Sequence, residues 1–210
     1  IIRRGKIIDV VKTKEVEINS LAEMMVGRKV TLEVEKKKPQ VGAEVLSVNN
    51  LVVKDSRGVP AVKGTTLTLR KGEILAIAGV DGNGQSELVE AISGLRKVEE
   101  GTVIINGKDM TNATPRRVIE AGLAHIAEDR HKRGLILKFS LVENSILGYH
   151  YKEPFAKGNI MDYHKIEAWC RRLIDIYDVR TPDEFAAASA LSGGNQQKVL
   201  LAKWLATDPK

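Results

Sequence analysis

The decamer Gly79-Val80-Asp81-Gly82-Asn83-Gly84-Gln85-Ser86-Glu87-Leu88 limits how this chain can fold more than any other stretch. The apolar run Glu73-Ile74-Leu75-Ala76-Ile77-Ala78 before it predicts a buried strand. Val89, Ala91 and Ile92 after it predict a helix from about Gln85 to Leu95. Strand, glycine-rich loop and helix in that order form the layout of a phosphate-binding loop, G-x-x-x-x-G-K-[ST]. Gly79, Gly84 and Ser86 stand where that pattern needs them, and Gln85 stands in place of the lysine. Glycines let successive backbone N–H groups turn onto phosphate oxygens, and the following helix adds its positive end. An intact loop also brings a lysine ammonium for the outer phosphates and a hydroxyl for Mg²⁺, a role that falls here to Ser86. Gln85 can donate hydrogen bonds but carries no charge, and Glu87 adds a negative one. Taken alone, the decamer fits a weakened phosphate loop or an ordinary glycine-rich turn. A dinucleotide fingerprint fits worse: G-x-G-x-x-G from Gly82 would need glycine where Glu87 stands.

Bulk properties exclude several classes. Of 210 residues, 43% are hydrophobic, which suits a folded core. The longest apolar runs, such as Ile74 to Val80, fall far short of the roughly 20 residues a spanning helix needs. Ile1-Ile2-Arg3-Arg4 is not followed by the apolar core of a secretory signal. The first residue is Ile1 rather than Met, which leads us to expect a piece of something longer. Cys170 is the single cysteine, so no internal disulfide can form and a reducing compartment is the simple inference. It reads as a passive thiol on a helix. His125, His131, His150 and His164 show no i, i+3 or i, i+4 pairing with one another and no cysteine cluster, so no metal site is expected from them. The formal charge of +6 would suit nucleic acid, an anionic membrane surface or phosphate ligands. The basic clusters Lys36-Lys37-Lys38 and His131-Lys132-Arg133 are not interleaved with aromatics, however, and read as a solvated linker and an exposed loop.

Along the chain, "IIRRGKII" predicts a hairpin turning at Gly5. "NSLAEMMVG" predicts a short helix capped by Asn19 or Ser20 and stopped by Gly27. Residues 29–42 are charged and carry Pro39 and Gly42, as a linker would. From Ala43, "EVLSVNNLVV", "VKGTTLTLR" and "GTVIING" predict strands, the last ending in an Asn106-Gly107 turn. Pro115 opens a helix, and "GLAHIAEDR" predicts a strand running into a charged turn. "SLVENSIL" and the segment from about Tyr163 to Tyr177 are expected to be helical. "LSGGNQQKVLLAKWL" is expected to be a glycine turn feeding an amphipathic helix.

That last stretch decides between the readings of the decamer. Leu191-Ser192-Gly193-Gly194-Asn195-Gln196 opens a helix, where free N–H groups and the helix dipole favour an anion. L-S-G-G-[NQ]-Q resembles the signature of ATP-binding cassette domains, a specific pattern at this distance behind a phosphate-type loop. The resemblance covers Ala43 to Lys210: "GEILAIAG", the loop, "GTVIING" and the helix ending "LATDPK" follow the family's order and spacing. "AEDRHKRGL" followed by "SLVENSILG", the lysine-less loop and "LSGGNQQKVLLAKWL" resemble more narrowly the second cassette of tandem ATPase subunits in bacterial sugar and nucleoside importers. "RRGKIIDVVKTKEVEINSLAEMMVGR" looks like the tail of the first cassette in those proteins. The spelling "GVDGNGQSEL" is nearest the branch serving nucleosides or basic-membrane-protein-type receptors.

The resemblance implies an α/β fold: a P-loop NTPase of ABC type, with a RecA-like core, an antiparallel β subdomain and an α-helical signature subdomain. It divides the chain into 1–28, the tail of a first cassette, 29–42, a linker, and 43–210, a second cassette. The family's aspartate-bearing strand, catalytic glutamate and later histidine are expected beyond Lys210, so this stretch would hold no complete hydrolytic site. ATP and Mg²⁺ are the implied cofactors. Gly79 through Glu87 would face ATP held by this domain, with Ser86 on Mg²⁺. Ser192, Gly193 and Gly194 would meet the γ-phosphate of ATP held by the partner cassette, and Asn195 and Gln196 would shape that turn. Glu128 stands where most cassettes carry a glutamine that touches Mg²⁺ and the attacking water, so its role would be altered. Asp129 and Arg130 have a plainer reading as a surface ion pair. No Phe, Trp, Tyr or His lies between Glu44 and Ile74 to stack on adenine, a departure from the family. Implied partners are the first cassette, transmembrane permease subunits and, indirectly, a solute receptor, at the cytoplasmic face of the membrane and without nucleic acid. Two rivals stay open. One is a soluble tandem-cassette translation factor, against which Gln85 and the short linker weigh. The other is a cassette that binds nucleotide only as a regulatory or structural element.

Overall fold

A computed structural model describes residues 1–3, 5–27 and 39–209 and divides the chain into two compact units, Ile1–Pro39 and Gln40–Lys210. In the first unit, β1 (Ile2–Arg3) pairs antiparallel with β2 (Lys6–Ile7) across Gly5, whose φ of +74° lies in the left-handed region. Helix α1 (Ile18–Val26) ends at Gly27, also left-handed, whose N–H bonds back to Glu23. Asn19 and Ser20 do not cap it. The Leu21 N–H reaches the Glu17 carbonyl, so the first turn closes earlier, and Glu17 becomes an N-cap whose side chain makes no capping bond. Most of the 29–42 stretch read as a linker lies outside the described residues.

The second unit is built on a four-stranded antiparallel sheet in the order β4-β3-β5-β6. Strands β3 (Glu44–Lys54) and β4 (Pro60–Arg70) form a long hairpin, and β5 (Val98–Ile105) adds along β3. Strand β6 (Lys108–Asp109) follows the expected Asn106-Gly107 turn, where both residues have positive φ. Val48, Leu51, Val53 and Val103 are fully buried on one face. They pack with Leu88, Ala91 and Ile92 of α2 (Gln85–Ile92) and Val118 of α3 (Pro115–Glu120). That core carries the phosphate-type loop at its edge.

A second apolar cluster holds the helical part. Leu141 of α4 (Leu141–Ser145), Ile166 of α5 (Tyr163–Ile176) and Leu200 and Trp204 of α6 (Gly193–Leu205) pack together. Beside them a small hairpin joins β7 (Ala156–Lys157) to β8 (Ile160–Met161). Helix α4 starts with a capping box: Ser140 accepts from the Glu143 N–H, and Glu143 accepts from the Ser140 N–H. Cys170 is buried in this cluster, and burial pushes its thiol up to about 12, so it stays a passive thiol.

Two expected strands do not form. Residues 73–79 and 123–127 belong to no ladder, and Ile74 is 92% exposed. Their apolar content expresses a preference for burial, but a parallel strand exists only when a neighbour supplies hydrogen bonds. All strand pairs among the described residues are antiparallel and involve other segments. No helix among them is long and apolar enough to cross a membrane.

Lys203 is a buried ammonium on α6. Its Nζ donates to the Gly134 carbonyl at 3.1 Å and lies 4.9 Å from the centre of the Trp204 ring. Burial lowers its pKa from 10.5 to about 8. Below pH 8 folded and unfolded chains both hold the proton, and the folded chain bears the desolvation cost. Between pH 8 and 10.5 only the unfolded chain holds it, so native stability rises with pH. We expect the stability advantage of Lys203→Met over the parent to shrink by about 3 kcal/mol across that window. Urea unfolding of both chains at several pH values measures this, and a difference that stays flat with pH would reject it.

Candidate functional site

The loop 79–84 leads into α2 along a path that only glycine permits at its end. Gly84 is the N-cap of α2 with φ +94°, and a Cβ there would stand 2.6 Å from the Ala61 carbonyl oxygen of β4. This close approach seats the loop on the β3–β4 hairpin. Gly82 is also left-handed, at +84°. Gly79, Val80, Asp81, Gly82 and Asn83 are exposed, as is Ser86, while Glu87 is half-buried. Gln85 turns back over the loop: its Nε2 donates to the Val80 carbonyl at 3.2 Å, which also accepts from the Asn83 N–H. A Cβ on Gly79 would lie 1.9 Å from that same Nε2, so the Gln85 amide rests against the first glycine of the loop.

Beside the start of α2 lies an open cleft of about 500 Å³, lined by Gln85, Ser86 and Glu90 on one side and by His125, Glu128 and Arg133 on the other. The fold thus brings Glu128 to the same cleft as Ser86, 42 positions away in sequence. Together they offer two oxygen donors, which suits a cation that keeps several waters and takes phosphate oxygens as ligands. No group of three or more His, Cys, Asp or Glu gathers into a metal cluster among the described residues. Burial lowers the pKa of half-buried His125, and the charge of Arg133 lowers it further, which favours the neutral ring. Glu90 is buried, which opposes its ionisation, but hydrogen bonds from Arg96 and Arg133 outweigh burial and hold its carboxyl below the usual range.

The second constellation sits at the start of α6. Ser192 is the N-cap, and its hydroxyl accepts from Asn195 Nδ2 at 3.0 Å rather than from a helix N–H. Asn195 in turn accepts from the Arg180 N–H at 2.9 Å. Leu191 is buried and anchors the turn, while a Cβ on Gly194 would meet open space. Gln196 is buried, and its Nε2 donates to the Ala188 carbonyl. The first turn of α6 therefore has its side chains tied inward and leaves Ser192 and Gly194 facing an open surface.

Asp129 and Arg130 do not pair with each other. Asp129 caps the short π-helical turn Arg130–Gly134, accepting from the His131 and Lys132 N–H groups, and it lies 3.8 Å from the Lys132 ammonium. Arg130 instead reaches Gln196, 66 residues away, through Nε at 3.2 Å, and His131 Nε2 lies 2.8 Å from the same oxygen. The His131-Lys132-Arg133 cluster is accordingly not a plain exposed loop: His131 bonds to Gln196 and Arg133 to Glu90. Sequence reading missed both these contacts and the Glu90 ion pairs. Nothing local in "AEDRHKRG" announces a contact with residue 196, and Glu90 reads as one more polar position on an amphipathic helix.

Comparison with known proteins shows the family. The profile of the ABC transporter family matches residues 62–210. The chain is 46% identical to the guanosine import ATP-binding protein NupO of Bacillus subtilis (strain 168) and 46% identical to the nucleoside import ATP-binding protein NupA of Lactococcus lactis subsp. cremoris (strain MG1363). It is 36% identical to the ribose import ATP-binding protein RbsA of Lactococcus lactis subsp. cremoris (strain SK11). Each match covers 100% of this chain and 41% of the relative, so the chain spans less than half the length of these relatives. Among solved structures, a nucleotide-free ATP-binding cassette from an ABC transporter aligns with a TM-score of 0.62 at 23% identity, over 80% of this chain and 66% of that one. A dimeric ATP-binding cassette bound to ADP and Pi aligns with a TM-score of 0.64 at 22% identity, over 78% of this chain and 70% of that one. At such identities the structural matches speak for the fold.

Proposed function

The chain belongs to the ABC transporter ATPase family, and from that premise we propose that it is the second cassette of a tandem import ATPase, with a weak nucleotide site of its own and a signature that serves ATP held by the first cassette. Residues 1–28 would then be the tail of that first cassette, 29–42 the linker, and 43–210 the second cassette. The solutes would be small and polar, sugars or nucleosides, in keeping with the import functions named for the relatives. Permease subunits and a solute receptor would complete the importer, with this chain peripheral at the cytoplasmic face.

The observation that carries the reading is the contrast between the two turns. At the loop, the position that needs an ammonium holds an amide bonded to the Val80 carbonyl. At the signature, Ser192 and Gly194 are open at the positive end of a 13-residue helix. Backbone N–H groups of the loop and the α2 N-terminus would bind phosphate oxygens without a neutralising cation. Ser86 and Glu128 would hold Mg²⁺, which when bound offsets phosphate charge. Ser192 and the first N–H groups of α6 would receive the outer phosphate of the ATP on the partner cassette, orient it and close the two cassettes together. Hydrolysis at that composite site would reset the pair.

Gln85→Lys tests the weak-site assignment. Restoring the ammonium adds a charge-assisted contact of about 1.5–3 kcal/mol, so Mg-ATP should bind this chain roughly tenfold to a hundredfold more tightly than the parent does. Equilibrium binding of a fluorescent ATP analogue measures the change. Equal affinity in both chains would remove the loop from the nucleotide site.

A further inference from the structure

The turn Arg130–Gly134 is held from two directions. Asp129 caps its start, and the Leu135 N–H closes it onto the Arg130 carbonyl at 2.8 Å. Towards α6, Arg130 Nε and His131 Nε2 converge on Gln196 Oε1. Four residues further on, the Gly134 carbonyl takes the Lys203 ammonium. Gly134 also lies tight against Leu200, where an added Cβ would come within 3.0 Å of that side chain. Towards α2, Arg133 pairs with Glu90, which Arg96 clamps from the other side at 2.6 Å. A five-residue turn closed by its own hydrogen bonds and tied at both ends has little room to stretch.

Gln196 is where this turn meets the signature. Its oxygen takes two donors and its nitrogen donates to the Ala188 carbonyl, so the amide has one orientation. It lies in the first turn of α6, three residues after Gly193. Arg130 makes a second contact there: a Cβ on Gly193 would stand 2.9 Å from Arg130 Nη2, so the guanidinium lies over that glycine. Arg130 takes part in no carboxylate ion pair among the described residues, which leaves the amide oxygen and the glycine backbone as its contacts.

We propose that Arg130 is the positioning residue of the Ser192–Gly194 turn. Through Gln196, and together with His131, it sets the first turn of α6 relative to the segment that begins at Glu128, and Arg133 anchors the same turn to Glu90 behind the phosphate loop. What the turn receives rests on the proposed function; the positioning itself does not.

Amide hydrogen exchange of the whole chain tests the positioning without nucleotide. In Arg130→Ala, exchange at 196–198 should speed up by about tenfold while 141–145 in α4 keeps its rate. Gly193→Ala should speed the same amides in the parent, yet add less than about twofold to Arg130→Ala, because the atoms it displaces are already gone. Should Arg130→Ala unfold the chain, Arg133→Ala breaks only the anchor on α2 and should still raise exchange at 196–198 by about threefold. Unchanged exchange at 196–198 in both arginine variants overturns the proposal, as do independent effects of Gly193→Ala and Arg130→Ala. Exchange that rises in Arg130→Ala, with ATP turnover of the full-length protein untouched, supports the positioning and rejects the phosphate reading of Ser192–Gly194.

Discussion

Ser192→Arg in the full-length protein is expected to lower ATP turnover by at least about a hundredfold, while Gln85→Ala leaves it within about threefold of the parent. The first figure corresponds to about 2.7 kcal/mol, the scale on which one preorganised donor at a reacting oxyanion contributes. Ser192 is exposed and makes no capping bond to α6, so its loss should leave the helix standing. The arginine would project into the space proposed for a phosphate of the partner's ATP, and the bond from Asn195 would be lost. Gln85 already spends its amide on the Val80 carbonyl, so truncating it removes little that serves a phosphate. Steady-state turnover of the two variants, with thermal unfolding as a check on folding, gives the ranking. The reverse order would place the working nucleotide site on the loop of this chain and undo the proposed asymmetry.

Asn144→Ala is expected to destabilise the helical part by about 2–4 kcal/mol. Asn144 is fully buried. Its Oδ1 accepts from the Ile136 N–H at 2.9 Å, and its Nδ2 donates to the carbonyls of Ile136, Phe139 and Ser140. One side chain thus ties together the connection into α4. Alanine would leave the Ile136 N–H without its partner and open a void, while the three carbonyls would keep their backbone donors on Phe139, Ala188 and Asn144. Asn144→Asp is the sharper control: it keeps the size and the acceptor but loses both donors, so it should cost a comparable amount at neutral pH. Urea unfolding measures both, and a loss below about 1 kcal/mol in Asn144→Ala would show that water replaces the amide without penalty.

How far the chain could be read without coordinates depends on the range of the forces involved. The strands β3 and β4, the Asn106-Gly107 turn, Pro115 at the head of α3 and the glycine stop of α1 are local events. Each rests on one or two residues with restricted backbone choices, and each appears where the residues place it. The cap of α1 shows the limit of such reading. Asn19 and Ser20 are good capping residues, but the chain gains one more hydrogen-bonded turn by starting at Glu17. The strands expected at 73–78 and 122–127 failed for a different reason: apolar content does not supply a ladder partner.

The sequence by itself determined the family, through a glycine loop and a signature turn spelled and spaced as in its members. It also determined which turn lacks its cation, because Gln85 carries no charge in any fold. Only the tertiary structure decided where that amide goes, that Glu128 shares a cleft with Ser86, and that Glu90 lies clamped between Arg96 and Arg133. It alone decided that Arg130 and His131 meet Gln196 and that Lys203 is buried against Gly134. Those contacts join residues tens of positions apart, and their strength comes from burial. Burial is a property of the packed molecule that no local pattern of residues expresses.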